Sequence, residues 1–442
     1  MADQAQFDTV RQALARRDFD EALRRLGDPS QDVEALALAG LAWTGLRQFD
    51  RAAACYGAAL RLAPDRFDLM SNLGSVLVDL DRFGEALALF QQARAVAPRN
   101  ARVIANLANL LDFAGALDDA LVAHAAARAL DPADGEIARN QAMTLLRAGR
   151  LAEGWPLFEH RRRAVDPTEA TVPRLPPLAG APSLMGRRIL LFHEQGFGDT
   201  LQMLRYVPLL AASGATLVLR IPPPLSRLAA GMAGVAAVID IDEAPGPLDY
   251  QAPLMSLPLL FATTLDDIPA TPYLRADPVD AAPWGERLAG LPHPRVGLVW
   301  AGSPEGGLDH RRSMPFADLA PLFAVPAGFV SLQIGPAAAD WAPPDGAAAL
   351  NAAPWLHDFA DTAALLSRLD LLITVDTSAA HLGGALGRPV WMISRFSACW
   401  RWLTLRGDSP WYPTLRVLRQ PYPGRWEPPI AEAARWLAGG AV

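Results

Sequence analysis

Residues 371–391 read LLITVDTSAAHLGGALGRPVW, an order of side chains that spells strand, tight turn, helix, second turn and second strand. Leu371 to Val375 is a short apolar run rich in β-formers. Asp376, Thr377 and Ser378 are cap-forming residues for a helix over Ala379 to Leu386, which Gly387 stops and Pro389 prevents from resuming. A strand that feeds a helix N-terminus leaves free backbone N–H groups and the positive end of a dipole facing outward, which suits a phosphate. His381 lies three residues after Ser378, so both are expected on one side of the first turn, toward the helix tip. Ordinary capping beside a packed histidine is the competing reading, and the flanking sequence has to decide between them.

Upstream, the same grammar recurs. Pro294 to Trp300 predicts a strand that turns at Ala301-Gly302-Ser303, and the loop beyond carries Asp309, His310, Arg311, Arg312 and Ser313. Gly328 to Gln333 predicts another strand, and a helix over Ile430 to Leu437 closes this unit, 291–442. A similar unit, 187–290, begins with a strand over Arg188 to Phe192, the loop His193-Glu194-Gln195-Gly196-Phe197-Gly198, and a helix from Asp199 to about Ala212. Its apolar runs Thr216 to Arg220 and Val235 to Ile241 suit parallel strands buried on both faces. A dinucleotide fingerprint is rejected: the third glycine would fall at Leu201, and the second strand ends in Arg220 where an acidic ribose ligand is expected. Gly196 and Gly198 instead let the backbone pass close to a ligand. Asp240-Ile241-Asp242 resembles a metal-binding D-x-D, but a tripeptide does not make a metal site, and none is expected. Two tandem α/β units form a cleft where the carboxyl ends of their strands face each other. Trp300, Ser313, Gln333, Thr377 and His381 are expected on one wall, Glu194 and Asp199 on the other.

Ahead of these units, Pro64, Pro98 and Pro132 recur every 34 residues. Ala59, Ala93 and Ala127 recur with them, as do Tyr56, Phe90 and His124, and Gly40, Gly74 and Ala108. This pattern of small and bulky positions resembles the tetratricopeptide repeat, an array of paired helices, and is assigned to residues 1–163. Such an array offers a concave surface for a peptide or protein; a scaffold or dimerisation element is the competing role. Residues 164–186, rich in Pro, Ala and Gly, read as a linker.

Composition narrows the chemistry. The chain of 442 residues, 51% hydrophobic, is long enough for two or three domains. A net charge of −7 gives no basic excess to neutralise a nucleic-acid backbone. All forty basic residues are arginine, which excludes a Walker-type phosphate loop, a pyridoxal Schiff base and a protein-kinase lysine. Two cysteines far apart, Cys55 and Cys399, support neither a disulfide framework nor a cysteine metal site. With no signal-like segment and no apolar stretch of membrane-spanning length, a cytoplasmic protein is expected.

The segments EQGFGDTLQMLRY (194–206), VGLVWAG with a later RRS (296–302, 311–313), VDTSAAHLGGALGRPVW (375–391) and SPWYPTLRVLRQ (409–420) together resemble bacterial glycosyltransferases that carry tetratricopeptide repeats. Their catalytic part is similar to the heptosyltransferases of glycosyltransferase family 9, and more remotely to the protein O-GlcNAc transferases. The resemblance implies a helical solenoid followed by a two-Rossmann glycosyltransferase B fold, with an N-terminal acceptor half and a C-terminal donor half. It implies a nucleotide-sugar donor, no metal or other cofactor, and a protein acceptor, flagellin being one. Gly198-Asp199 matches the loop whose aspartate serves as base, with Glu194 as the alternative carboxylate. Asp376, Thr377 and His381 match the donor pyrophosphate site, to which Gln202, Trp300, Ser303, Arg312, Ser313, Gln333 and Ser378 are added as donor-binding residues. Where relatives read Pro-Asp-Trp-Arg-Trp, this chain has Ala398-Cys399-Trp400-Arg401-Trp402. That missing carboxylate motivates a second hypothesis, a repeat adaptor whose transferase half no longer turns over; a nucleotide-sugar epimerase is a third.

Overall fold

The 34-residue period is carried by helix pairs, Val33–Gly45 with Phe49–Leu62, Phe67–Asp79 with Phe83–Val96, and Ala101–Phe113 with Leu117–Leu130, preceded by Gln4–Ala15 and Phe19–Leu26 and followed by Gly135–Arg147. These come from a computed structural model that describes residues 4–29, 32–162, 171–180, 182–270, 272–304, 309–404 and 406–440. Small-to-large complementarity sets each crossing. A methyl group on Gly40 would lie 2.6 Å from the Tyr56 ring, and one on Gly74 would lie 2.7 Å from Phe90. In the third pair Ala108 has that methyl, and its counterpart is the smaller ring of His124, fully buried. Asp32 and Asn100 cap their helices through side-chain oxygens, as their positions at helix starts require.

The chain divides into two compact units, Met1–Leu145 and Leu146–Val442. The boundary therefore falls ahead of the expected 163. The helix Leu151–Phe158, inside the range expected for the repeats, belongs to the second unit. Its Trp155 is 2% exposed and packs edge-on against Trp400 and Trp411, with ring centroids 5.4 and 6.4 Å away. The indole N–H donates to the Thr263 carbonyl at 2.9 Å. The expected linker also changes character. Residues 163–170 and 181 lie outside the described residues, but beyond them Gln251 N donates to Pro173 O at 3.0 Å, Leu175 N donates to Gln251 O at 2.8 Å, and Leu175 is buried. This segment lies along a strand edge, satisfying backbone groups that an open edge would leave bare.

Among the described residues the second unit holds ten strands: β1 Arg188–Phe192, β2 Thr216–Arg220, β3 Val235–Ile239, β4 Tyr250–Pro253, β5 Arg295–Val299, β6 Gly328–Ser331, β7 Ala349–Asn351, β8 Leu371–Val375, β9 Val390–Ser394 and β10 Leu415–Arg419. They form two sheets, ordered β3-β2-β1-β4 and β10-β9-β8-β5-β6-β7, and every pairing is parallel. β8 and β9 are buried along their whole length, as continuous apolar runs demand. The single helix expected over 199–212 is three pieces: Phe197–Met203, a 3₁₀ turn Leu204–Tyr206, and Val207–Ala212. Pro208 has no N–H to continue the ladder. In each sheet the chain reverses its direction of travel once, leaving crevices at the carboxyl ends between β1 and β4 and between β5 and β8.

Candidate functional site at the strand exits

Glu194 leaves β1 and Ser256 follows β4, so the two flank the first crevice. Arg161 occupies the space between them. Its Nη2 donates to Glu194 Oε2 at 2.6 Å and to Ser256 Oγ at 2.9 Å, and its Nη1 donates to Glu159 Oε1 at 2.7 Å. Arg162 Nε lies 3.6 Å from Glu194. Burial pushes the Glu194 carboxyl above the usual range, against the attraction of Arg161. The expectation of a carboxylate waiting for an acceptor hydroxyl is thereby corrected for Glu194: it is one half of an enclosed ion pair. The other half was hidden in sequence because it sits 33 residues away, in the turn that follows the helix Leu151–Phe158.

Asp199 is also engaged. Its Oδ2 accepts from Gly196 N at 2.8 Å, tying the start of its own helix. Its Oδ1 accepts from Arg401, a residue the sequence reading passed over. Arg401 is 8% exposed, lies 4.3 Å over the Trp400 ring, and donates through Nε to Gln202 Oε1 at 2.8 Å and through Nη1 to Cys399 Sγ at 2.9 Å. Burial opposes the Arg401 charge, yet Asp199, then Cys399 and Asp376, hold its pKa above the ordinary value. The Cys399 thiol thus occupies one corner of the guanidinium whose opposite side faces Asp199. Gln202, fully buried, serves Arg401 rather than the opening.

His381 does not reach the helix tip. It is 4% exposed, its Nδ1 is 2.9 Å from the Tyr412 hydroxyl, and its ring stacks on Trp402 at 5.0 Å. Gly198 closes its other face: a methyl there would lie 2.7 Å from His381 Cδ2 and 3.5 Å from Ser378 Cα. Burial, then Arg401 and Arg205, push its pKa well below the usual imidazole value. It is a neutral ring sealed between helices Phe197–Met203 and Ser378–Ala385, not a cation at the tip. The tip residues Asp376, Thr377 and Ser378 are half-buried. Thr377 Oγ1 lies 3.1 Å from Thr374 Oγ1.

At the β5 exit, Trp300 is fully buried in the core, stacked on Trp341 at 6.0 Å and edge-on to Phe316 at 4.9 Å, so it lines no wall. Gln333 accepts from Trp300 N and Ala301 N at 3.0 and 2.9 Å and donates to Ala301 O and Ile334 O, stapling the loop. Ser313 Oγ accepts from Gly302 N and donates to Asp309 Oδ1. Arg312 lies flat on Gly302, where a methyl would sit 2.6 Å from its Nε, and donates to Asp309 Oδ1 at 3.1 Å and to Ser303 O at 3.3 Å. Asp240 is exposed and its Oδ1 accepts from the adjacent Ile241 N. Among the described residues no group of three or more His, Cys, Asp or Glu is arranged to hold a metal, and no helix is long and apolar enough to cross a membrane. Arg205 was also missed from sequence. It is buried beneath Tyr412, Trp411 and Tyr273, 4.8 to 5.2 Å from their ring centroids, and donates to Gln202 O and Trp411 O, joining the first helix to the second half.

No protein-family model matches the chain. It is 28% identical over 324 residues to Protein FlbA of Caulobacter vibrioides, an alignment covering 66% of this chain and 53% of that protein. The chain thus spans about half the length of this curated relative. Among solved structures it is similar to MamA from Desulfovibrio magneticus, with 23% identity, a TM-score of 0.31, and coverage of 36% of this chain and 97% of that one. A thermophilic TPR protein of Thermus thermophilus is 25% identical, with a TM-score of 0.33 and coverage of 36% of this chain and 89% of that one.

Proposed function

We propose that the chain is a glycosyltransferase: its second unit takes a nucleotide-sugar in a glycosyltransferase B arrangement, and its repeats dock the protein acceptor, flagellin or another surface protein. The observation that carries this reading is the Asp199–Arg401 ion pair, through which the segment leaving β1 of one parallel sheet meets the segment between β9 and β10 of the other. Polar residues from two parallel sheets converging at their strand exits is the setting in which such folds bind nucleotides. In the transfer, an acceptor oxygen bonds to the anomeric carbon while the bond from that carbon to the donor phosphate breaks, and the electron pair departs with the phosphate. Asp199 is the group to take the acceptor proton, once the hydroxyl displaces Arg401 from one carboxylate oxygen; general-base catalysis of this kind contributes roughly 100- to 10,000-fold. Arg401, freed from Asp199, is then available to the charge growing on the leaving group. Asp376, Thr377 and Ser378 at the β8 exit supply polar contacts on the donor side.

A second reading is favoured by one specific observation, that both candidate carboxylates are already ion-paired. It makes the chain a repeat adaptor that binds a nucleotide-sugar without turning it over. Incubating the full chain with UDP-, ADP-, GDP- and CMP-sugars and measuring released nucleotide separates the two. Transferase chemistry predicts release from one donor class and a fall in turnover of more than 100-fold in Asp199→Asn, with donor affinity nearly unchanged. Binding of a donor with no release and no transfer would establish the adaptor.

A further inference from the structure

The loop from His193 to Asp199 holds three titratable side chains, His193, Glu194 and Asp199, and the two carboxylates are held in ion pairs. His193 is the third. Its backbone N–H donates to Arg220 O at 3.0 Å, which extends the pairing of β1 with β2 by one residue and sets the ring at the carboxyl end of the sheet. Successive side chains of a strand alternate between its faces. Phe192 packs with Leu190 and Val218, with the Arg220 guanidinium 5.5 Å over its ring, so His193 takes the opposite face. There it meets the helix Phe197–Met203: His193 Nδ1 lies 2.7 Å from the Oγ1 of Thr200, a buried residue. The imidazole itself is half-buried. Among the described residues its Nε2 has no hydrogen-bond partner, and it is not enclosed as both ring nitrogens of His124 are.

These contacts leave one ring nitrogen held and the other open. When Nδ1–H donates to the Thr200 hydroxyl, the lone pair of the neutral ring sits on Nε2, where it can accept a proton. Burial lowers the pKa of His193, and Asp199, the charged side chain that acts on it among the described residues, offsets part of that shift. The ring is therefore neutral at pH 7, and an imidazolium formed there has Asp199 near enough to favour it. The other candidates at these exits are already committed. Glu194 is paired with Arg161, His381 is sealed between two helices, and Asp199 is open to a proton only after Arg401 leaves one of its oxygens. At His193 nothing has to be displaced.

We propose that His193 is a second proton acceptor in the transfer, its Nε2 taking the acceptor proton while Thr200 holds Nδ1–H and Asp199 stays paired with Arg401. This rests on the transferase reading. The acceptor O–H bond breaks toward Nε2 as the oxygen bonds to the anomeric carbon, and the electron pair of the departing bond leaves with the donor phosphate. The imidazolium then returns its proton to solvent, which the open Nε2 permits.

The test measures nucleotide release by the full chain from UDP-, ADP-, GDP- and CMP-sugars over about pH 5–9, beside nitrogen-15 NMR of the imidazoles. With the donor that turns over, kcat of the parent should fall on the acid side as His193 gains its proton. His193→Gln should lower kcat by roughly 100-fold or more and lose that acid limb, with donor KM and melting temperature close to the parent's. Imidazole added to His193→Ala should restore part of the rate. In the parent at pH 7 the NMR signals lost in His193→Gln should report a neutral ring with its proton on Nδ1. Unchanged kcat and pH profile in His193→Gln would overturn the role of His193 and leave the transferase standing. A proton on Nε2 in the parent would overturn it too, whatever the turnover. Should His193→Gln fail to fold, Thr200→Val keeps the imidazole but loses its hold on Nδ1, and a kcat equal to the parent's in that variant would sink the proposal. No release from any donor would remove the transferase and this role together.

Discussion

His124 takes the position that Tyr56 and Phe90 fill in the preceding repeats, and it does so fully buried with neither ring nitrogen hydrogen-bonded. Burial lowers its pKa from 6.5 to about 4. The unfolded chain therefore binds a proton that the folded chain refuses between those values, so stability is full above pH 6.5 and is lost as the pH falls toward 4. The gap corresponds to about 3 kcal/mol, an upper figure for a single buried imidazole. Denaturant melts of residues 1–145 at pH 7 and pH 4.5 should show this loss, and His124→Gln should flatten it; an equal pH dependence in that variant would assign the loss to other groups. Gly198→Ala drives a methyl into His381, displacing a ring held by Tyr412 and Trp402, and should lower stability by about 1–3 kcal/mol. An unshifted melting temperature would mean that the two helices part easily there.

At the scale of elements, the short run from Leu151 to Arg161 holds both the aromatic contact with Trp400 and the cation that fills the first crevice. Trp155→Ala should cost about 3–5 kcal/mol, the usual range for emptying a core tryptophan. Arg161→Met removes the shorter of the two ion pairs of Glu194, leaving Arg162 at 3.6 Å, and should cost up to about 3–5 kcal/mol, whereas the double variant Arg161→Met with Glu194→Gln should recover much of that loss. Urea melts of the single and double variants measure the coupling directly. Equal losses in the two would show that Arg161 acts through packing alone. On the transferase reading, retention of turnover in the double variant would further remove Glu194 from the chemistry, leaving Asp199 as the proposed base.

For the whole molecule, the boundary at Leu145 and Leu146 changes where the repeats can be cut. Deleting residues 1–160 takes away Trp155 and Phe158 and bares Trp400, which packs against both. That fragment should melt early or aggregate. A fragment beginning at Gly135 retains the helix Gly135–Arg147 and everything packed in the second unit. It should unfold cooperatively; on the proposed transferase reading it should also keep nucleotide binding, while transfer to a protein acceptor falls mainly through KM, because the proposed docking surface is gone. Full transfer efficiency in that fragment would show that the repeats serve assembly instead.

The 34-residue repeat was legible in the sequence, and the strands β1, β2 and β8 were legible to the residue, because a repeat period and a continuous apolar run are local properties of the chain. β4 and β7, four and three residues long, were not, since so short a strand exists only through its neighbour. The carboxylates and glycines of the candidate site were also legible as residue types near strand exits. Their condition was not. Whether Glu194 is available depends on Arg161, whether Asp199 is available depends on Arg401 202 residues away, and whether His381 carries charge depends on Tyr412, Trp402 and Gly198 closing over it. Sequence placed these groups because backbone geometry follows local side-chain pattern; tertiary structure alone decided their partners and protonation, because electrostatic environment is set by whichever distant side chains the fold brings within a few ångströms.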